Sequence, residues 1–333
     1  MTDAVALTRD LLRLRSINPP GDEGAVAEVL GRLLEDGGFH VRRFDHAPDR
    51  PSLVATRGTG AIPALCFTGH LDTVPLGTTP WHHDPFAGEI ADGRLYGRGS
   101  SDMKSGVAAM VVAALDFARN MPDGNLALVL TAGEETGCDG ARHLATLDGA
   151  LPKVGALVVG EPTANYPLIG HKGALWLQAE YSGVTAHGSM PEQGVNALYK
   201  AARGTLCLAE HRFAAQPHRH LGRASLNVGT LQGGINVNSV PDRARVGIDI
   251  RTVPGQRNSE VYCEIADLLG PEASLKRVVD VDHVITSPTD DWIQHVFALA
   301  AETLGEPPEP RGASYFTDAS ILTPAFGDVP TVI

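Results

Sequence analysis

Two short apolar runs of this sequence end in clusters of polar residues, and this pattern constrains the fold more than any other feature. The first run, residues 64–67, leads into Gly69-His70-Leu71-Asp72, and the second, residues 126–130, leads into Gly133-Glu134-Glu135-Thr136. A helical stretch rich in alanine, valine and methionine lies between them, at about residues 104–119. Alternating strands and helices are typical of an open α/β sheet, which binds ligands at the carboxyl ends of its strands. We therefore expect an α/β fold with a site after these strands.

The polar residues at these strand ends carry one imidazole and several carboxyl groups. Asp102 precedes the helical stretch, and Glu161 follows a further apolar strand at residues 155–159. Residues two apart in a strand face the same side, so Asp72 can accept a hydrogen bond from the imidazole of His70. Histidine and carboxylate suit zinc or a similar divalent ion. A lone histidine or glutamate pair is more often structural or solvated, but a cluster of this kind is typical of a metal site.

The pattern changes after residue 172. Strands and helices now follow in the order β-α-β-β-α-β, which is typical of a ferredoxin-like split unit. We expect this unit to be inserted into the first domain. The predicted organisation is residues 1–172 as the first part of one domain, 173–284 as the inserted domain and 285–333 as the second part of the first domain.

Charge and hydropathy exclude several function classes. The net charge is −12 and no basic cluster is present, so a nucleic-acid partner is not expected. No apolar run approaches the ~20 residues that a membrane helix needs. The amino terminus has no apolar signal region, and the four cysteines form no C-x-x-C pair, which together predict a reducing, cytoplasmic location.

Six motifs together resemble the M20 metallopeptidase family, over about residues 5–333. They are Gly69-His70-Leu71-Asp72-Thr73-Val74-Pro75, Gly97-Arg98-Gly99-Ser100-Ser101-Asp102-Met103-Lys104-Ser105-Gly106, Glu134-Glu135-Thr136-Gly137, Gly160-Glu161-Pro162-Thr163, Thr185-Ala186-His187-Gly188 and Asn238-Ser239-Val240-Pro241-Asp242. The family includes acetylornithine deacetylase, succinyl-diaminopimelate desuccinylase, aminoacylases and some di- and tripeptidases. Gly160-Glu161-Pro162-Thr163 and Thr317-Asp318-Ala319 look like the deacetylase and desuccinylase branch.

The resemblance implies a zinc-peptidase-like, three-layer catalytic domain with an inserted ferredoxin-like α+β dimerisation domain. It also implies two divalent metal ions, zinc or else cobalt or manganese. Carried over by position, the metal ligands are His70, Asp102, Glu135 and Glu161, with Asp102 bridging both ions, His70 and Glu161 on the first and Glu135 on the second. The remaining roles are Glu134 as general base, Asp72 as the residue that orients His70, and His187 as an oxyanion donor brought by the other subunit.

The implied reaction is hydrolysis of the amide bond of an N-acyl amino acid, with a di-, tri- or carboxypeptidase as the alternative. Two metal ions activate a water and polarise the amide carbonyl, while a carboxylate takes the water's proton and returns it to the leaving amine. Arg251 is a candidate ligand for a substrate carboxylate, and Asn236 is a weaker one. Arg251 and Asn236 could alternatively be solvated surface residues without a role in binding. The substrate is thus a small N-acyl amino acid or short peptide.

A homodimer through the inserted domain is expected, because the apolar alternation of residues 174–181 predicts an edge strand that needs a partner. The family usually continues past a segment like Pro330-Thr331-Val332-Ile333 to a further histidine ligand, whereas no histidine follows His295 here. The sequence therefore looks truncated at its carboxyl terminus, and we expect the second metal site to be incomplete and weak. For that reason a non-catalytic relative with the same fold remains an alternative.

Overall fold

The computed structural model describes residues 3–58, 60 and 63–333 and divides into two compact units. The first unit comprises Met1–Gly170, Val284–Arg311 and Thr317–Ile333, and the second comprises His171–His283 and Gly312–Phe316. The sequence prediction placed domain divisions after residues 172 and 284. The short segment Gly312–Phe316 groups with the second unit, although the sequence prediction left it in the catalytic domain.

A six-stranded mixed sheet forms the centre of the first unit, in the order β1-β2-β6-β3-β7-β14. Its strands are β1 His40–Ala47, β2 Arg50–Arg57, β3 Ala64–His70, β6 Leu126–Thr131, β7 Val154–Val159 and β14 Thr331–Val332. Strands β6, β3, β7 and β14 run parallel to one another, whereas β1 and β2 are antiparallel additions at one edge. The parallel strands read as nearly continuous apolar runs because helices cover the sheet.

Six helices belong to this unit: α1 Ala4–Arg13, α2 Gly24–Asp36, α3 Lys104–Asn120, α4 Asp139–Thr146, α7 Asp291–Leu304 and α8 Ala319–Ala325. Side chains of α1, α2 and α3 form one large core with alternate residues of β2, β3 and β6. Leu53 of β2 faces that core, so the neighbouring Ser52 faces the other side of the sheet. There Gly140 of α4 packs so closely on Ser52 that an added Cβ would lie 2.4 Å from the serine Oγ. The result is a helix–sheet–helix sandwich, as expected.

A hairpin joins strands β4 Glu89–Ala91 and β5 Arg94–Tyr96. Both turn residues, Asp92 and Gly93, have positive φ, as a tight two-residue hairpin requires. Helix α8 had no counterpart in the sequence prediction, because Pro324 lies inside it.

The second unit is built on a four-stranded antiparallel sheet in the order β10-β11-β9-β12. The strands are β9 Gly173–Ser182, β10 Ser225–Gly233, β11 Arg243–Thr252 and β12 Ala273–Val281, and two helices, α5 Ala197–Glu210 and α6 Asn258–Leu269, share their core. A 3-10 turn at Pro191–Gln193 and two short strands, β8 Gly170–His171 and β13 Val284–Ile285, complete the described elements. The expected β-α-β-β-α-β order is confirmed.

One detail of the prediction for this unit was wrong. Strand β9 is an interior strand, paired with β11 on one side and β12 on the other. Its alternation reflects one face packed on helices rather than an exposed edge. The edge strands of this sheet are β10 and β12. Within the described residues, no helix combines the length and apolarity needed to cross a membrane.

Candidate active site

His70 is the last residue of β3, and its imidazole is 1% exposed. Nδ1 lies 2.9 Å from the backbone carbonyl oxygen of Asp72 and 3.5 Å from that residue's Oδ1. The nearer acceptor is thus the carbonyl, not the carboxylate that the sequence predicted. When Nδ1–H donates to this carbonyl, the lone pair of Nε2 faces Asp102 Oδ1 at 3.0 Å. Two acceptors at this distance repel unless a cation lies between them or the ring is protonated.

The carboxylate of Asp72 organises the loop that carries the two glutamates. Its Oδ1 accepts a hydrogen bond from the backbone N–H of Glu134, and its Oδ2 accepts one from the N–H of Glu135, both at 3.2 Å. Asn18 Nδ2 donates a third at 2.8 Å. Burial opposes ionisation of Asp72, but the nearby His70 imidazole and the hydrogen bond from Asn18 outweigh it, and the pKa of Asp72 lies below its usual value. Asp72 therefore links the strand end, the amino-terminal loop and the glutamate loop.

The structure brings the predicted metal ligands of the first unit together. One ligand atom each from His70, Asp102 and Glu135 lies within 4.8 Å of the others. Glu161, which follows β7, places Oε1 at 3.8 Å from His70 Nε2. Imidazole nitrogen and carboxylate oxygens this close together form a donor set that suits a divalent cation.

The glycines around these residues allow the ligand-bearing segments to touch. A Cβ added to Gly106, in the first turn of α3, would lie 2.0 Å from the backbone oxygen of Gly160. Asp102 precedes this helix and Glu161 follows Gly160, so the close approach holds these two acids near each other. Glycine permits this contact because it has no Cβ.

Electrostatics favour a cation at this site. Burial, together with repulsion from neighbouring acids, raises the pKa of Glu135 to about 7 and that of Glu161 to about 8. Burial also raises the pKa of Glu134 well above its usual value. Burial opposes protonation of His70, yet hydrogen bonds with Asp102 and Asp72 raise its pKa well above normal. Glu135 Oε1 is buried and has no hydrogen-bond partner in the described part of the chain. A divalent cation would relieve this repulsion and fill the free acceptor, so the residues present fit a metal ion.

Three residues that lie close to the predicted metal ligands were not predicted from the sequence as part of the site. Asn18 holds Asp72, and buried Lys104 donates from Nζ to the carbonyl oxygens of Leu11 and Leu14 at the end of α1. Asp318 is 2% exposed, and burial beside these acids raises its pKa to about 6. Lys104 and Asp318 lie in motifs quoted for the family resemblance, but the sequence assigned neither of them a role, and a single asparagine carries no spacing signal.

The other predicted site residues lie in the second unit. His187 is exposed, and its Nδ1 accepts a hydrogen bond from the backbone N–H of Ser189, so the neutral ring carries its proton on Nε2. Arg251 on β11 donates from Nε and Nη2 to the two oxygens of Asp249, at 2.8 and 3.1 Å. Asn236 is exposed in the loop between β10 and β11.

Comparison with known proteins decides the family. The model of peptidase family M20/M25/M40 matches residues 66–333. The chain belongs to this family. A succinyl-diaminopimelate desuccinylase from Cereibacter sphaeroides is 34% identical, over 96% of this chain and 88% of that protein. A metallo-carboxypeptidase of the M20 family from Sulfolobus solfataricus has the same fold, with a TM-score of 0.83 and 18% identity, over all of this chain and 91% of that one.

A dinuclear metal-binding peptidase of the M20 family from Bacillus subtilis also shares the fold, with a TM-score of 0.67 and 15% identity, over 99% of this chain and 86% of that one. Among the described residues of this M20 chain, His70, Asp102 and Glu135 form a group that could hold a metal ion. The M20 chain is a metal-dependent hydrolase of amide bonds.

Proposed function

We propose that this M20 protein hydrolyses the amide bond of an N-acyl amino acid, as a deacylase of the desuccinylase and deacetylase type. The observation that carries the proposal is the group formed by the buried imidazole of His70 with Asp102, which is exposed, and Glu135, which is half-buried, beside buried Glu134. The desuccinylase relatives support the acyl class, since the Cereibacter sphaeroides protein is 34% identical over nearly the whole chain. The peptidase alternative is supported by structural neighbours that share the fold at 22% identity or less.

The proposed ligands are His70, Asp102 and Glu161 for one metal ion and Asp102 with Glu135 for the other. Zinc suits this mixed donor set, and cobalt or manganese can occupy similar sites. When bound, such ions supply positive charge that acidifies water and polarises an amide carbonyl. The unpartnered Oε1 of Glu135 and the lone pair of His70 Nε2 are the atoms that support this assignment.

Glu134 acts as the general base in this proposal. Its backbone N–H is fixed by Asp72 Oδ1, and its side chain is 5% exposed, so the carboxylate works in a site largely shielded from bulk water. It takes a proton from the attacking water and gives it to the nitrogen of the leaving amine as the C–N bond breaks.

Arg251 is proposed to bind a carboxylate of the substrate. Two nitrogens of the Arg251 guanidinium donate hydrogen bonds to Asp249. The third nitrogen, Nη1, is buried and has no partner within the described residues. The guanidinium carbon lies 5.6 Å from the ring centre of Phe316 and 5.8 Å from that of Trp176, which fixes the plane of the group. Asn236 is proposed as a second polar contact. The Nε2 proton of His187 makes it a candidate donor to the tetrahedral oxyanion, which accords with the role expected from sequence.

We further propose a homodimer formed through the second unit. Its edge strand β10 has largely exposed residues, and the neighbouring helix α5 exposes Tyr199 and Leu206, at 67% and 65%. An exposed edge with nearby apolar side chains favours a protein partner. We place the enzyme in the cytoplasm, since its cysteines are unpaired in the structure. Light scattering at micromolar concentration tests the dimer, and a monomer would contradict it.

A substrate screen tests the catalytic proposal. N-succinyl, N-acetyl and dipeptide substrates are incubated with the protein in the presence of zinc or cobalt, with Glu134→Gln as the matched control. We expect hydrolysis of an N-acyl amino acid by the wild type and essentially none by the variant. Cleavage of the dipeptides alone would favour the peptidase alternative, and turnover by Glu134→Gln equal to that of the wild type would contradict the assigned base.

A further inference from the structure

The side-chain amide of Asn18 donates hydrogen bonds to two different parts of the site. Its Nδ2 lies 2.8 Å from Oδ2 of Asp72, in the segment that follows β3, and 3.0 Å from Oγ1 of Thr136. Thr136 belongs to the glutamate loop, defined as residues 132–138, which carries both glutamates of the site. Asn18 itself is buried, with an exposed fraction of 2%. One nitrogen therefore joins the segment after β3 to the glutamate loop.

The chemistry of the acceptors determines which way this amide faces. A carboxylate has no proton to donate, so the atom of Asn18 that faces Asp72 must be the nitrogen. The hydroxyl of Thr136 donates its own proton to Oδ2 of Asp139 at 2.8 Å, and it therefore accepts from Asn18. Both hydrogens of Nδ2 are thus used, whereas Oδ1 is buried and has no partner among the described residues. Asn18 acts here as a double donor.

Backbone hydrogen bonds hold Asn18 against the segment that follows β3. Residues 16–18 run parallel to residues 71–73. The N–H of Asn18 donates to Thr73 O at 2.8 Å, and the N–H of Thr73 donates to Ser16 O at 2.9 Å. Ser16 and Thr73 are both buried. The amide is therefore presented from a fixed backbone rather than from a mobile loop.

The two acceptors of Asn18 bear directly on the glutamates. Oδ2 of Asp72 also accepts the N–H of Glu135, and Oδ1 accepts the N–H of Glu134. A carboxylate that loses a donor can turn more freely about its last side-chain bond, and both loop amides would then lose their common acceptor. Thr136 directly follows Glu135, so its bond from Asn18 restrains the chain on the other side of that glutamate.

We infer that Asn18 is a positioning residue for Glu134 and Glu135, which it places by joining the Asp72 carboxylate to Thr136. The inference rests on the proposed function, in which Glu134 is the general base and Glu135 is a metal ligand. An amide suits this task because it offers two donor hydrogens on one atom and carries no charge. Aspartate has the same shape but would place a second carboxylate against Asp72, and leucine would offer no donor.

Substitutions at both ends of this contact test the inference. Asn18→Asp keeps the shape of the side chain, Asn18→Leu removes the donors, Thr136→Val removes the acceptor and Thr136→Ser keeps it. Asn120→Leu is the matched control, since this exposed asparagine donates only to the Asp116 carbonyl within α3.

The kinetic readout is the division of the effect between kcat and KM. We expect both Asn18 variants to lower kcat by about 10- to 100-fold, because a displaced base and metal ligand impair the chemical step. Thr136→Val should lower kcat by about 3- to 10-fold, since the bond to Asp72 remains. KM should change by less than about twofold throughout, and Thr136→Ser and Asn120→Leu should retain wild-type kcat. Wild-type kcat in Asn18→Leu would overturn the inference.

Hydrogen exchange of the metal-free protein gives a second readout that needs no substrate. Peptides that cover residues 132–138 should exchange about tenfold faster in Asn18→Leu and Asn18→Asp, because the acceptor shared by two loop amides is no longer held. Peptides from residues 108–120 of α3 should be unchanged, which separates a loosened loop from a loss of global stability. Equal acceleration in the loop and in α3 would overturn the inference.

A double variant tests whether Asn18 and Thr136 act through one hydrogen bond. The losses in kcat of Asn18→Leu and Thr136→Val should combine to less than their product, since both substitutions remove the same contact. Losses that multiply would overturn the inference.

The readouts separate this inference from the proposed function. If the wild type hydrolyses none of the offered substrates, faster loop exchange in Asn18→Leu but not in Asn120→Leu still supports the positioning role, and only the proposed function fails. Unchanged loop exchange in Asn18→Leu overturns the positioning role whatever the activity. If the Asn18 variants do not fold, the loop should still exchange faster in Thr136→Val than in Thr136→Ser, and equal exchange in these two would overturn the inference.

Discussion

Acidification should destabilise the second unit through a single buried histidine. The imidazole of His171 is fully buried; its Nδ1–H donates to the carbonyl of Lys172 at 2.8 Å, and its Nε2 has no partner in the described residues. Burial, with a smaller contribution of the same sign from the nearby His283, lowers the pKa of His171 from 6.5 to about 4. The ring is therefore neutral in the folded protein at neutral pH.

The sign and size of the effect follow from proton linkage. Between pH 6.5 and about 4, the unfolded chain binds a proton at this histidine and the folded chain does not. The contribution to stability is thus fully present above pH 6.5 and is lost as the pH falls to about 4. That interval corresponds to ~3 kcal/mol of free energy of unfolding.

Urea unfolding in the presence of EDTA measures this contribution. The free energy of unfolding is compared at about pH 7 and about pH 4.5 for the wild type, His171→Gln and the exposed control His40→Gln. Glutamine can still donate to the Lys172 carbonyl but does not titrate. Between the two pH values the wild type and the control should lose ~2–3 kcal/mol more than His171→Gln. Equal losses in all three proteins would refute the reasoning, because His171 would then bear a proton at the same pH in both states.

Three further outcomes are expected. Glu134→Gln should lower kcat by ~10²–10⁴-fold and leave zinc binding, measured by titration calorimetry, nearly intact; a variant with more than half of the wild-type activity would contradict the base assignment. Arg251→Met should raise KM for a carboxylate-bearing substrate by about tenfold or more with little change in kcat, and equal steady-state kinetics in the two proteins would exclude a substrate contact. Gly140→Ala should lower the free energy of unfolding by ~1–3 kcal/mol because the new Cβ would lie 2.4 Å from Ser52 Oγ and Ala132 O. Gly31→Ala is the control, because the atom nearest to its new Cβ would be 3.7 Å away, an ordinary van der Waals contact. In denaturant titrations this variant should leave the free energy of unfolding unchanged or raise it by up to ~1 kcal/mol.

The sequence was most informative where local chemistry decides the structure. The strand that ends at His70 was predicted because an apolar run is a local property of the sequence. The clustering of His70 and Glu135 followed from strand ends that meet at one sheet edge, and Asp102 joins them from the segment before α3.

Structural features that depend on contacts between residues far apart in the sequence could not be predicted from local patterns. The alternation of β9 is identical for an edge strand and for an interior antiparallel strand with one face on helices, so its position in the sheet was misjudged. Asp318 and Asn18 reach the site from opposite ends of the chain, and neither lies in a spaced motif of metal ligands. The Asp72 carboxylate bonds to loop amides, which no side-chain pattern encodes.

The contact between Gly106 and Gly160 limits how this site can diversify. A Cβ on Gly106 has no room, because the obstacle is a backbone oxygen rather than a side chain that could rotate away. Substitutions in the loops and pocket walls around the acids can therefore alter substrate specificity, while the distance between Asp102 and Glu161 stays constant. In a library randomised at position 106, active clones should return glycine almost without exception, whatever substrate is used for the selection.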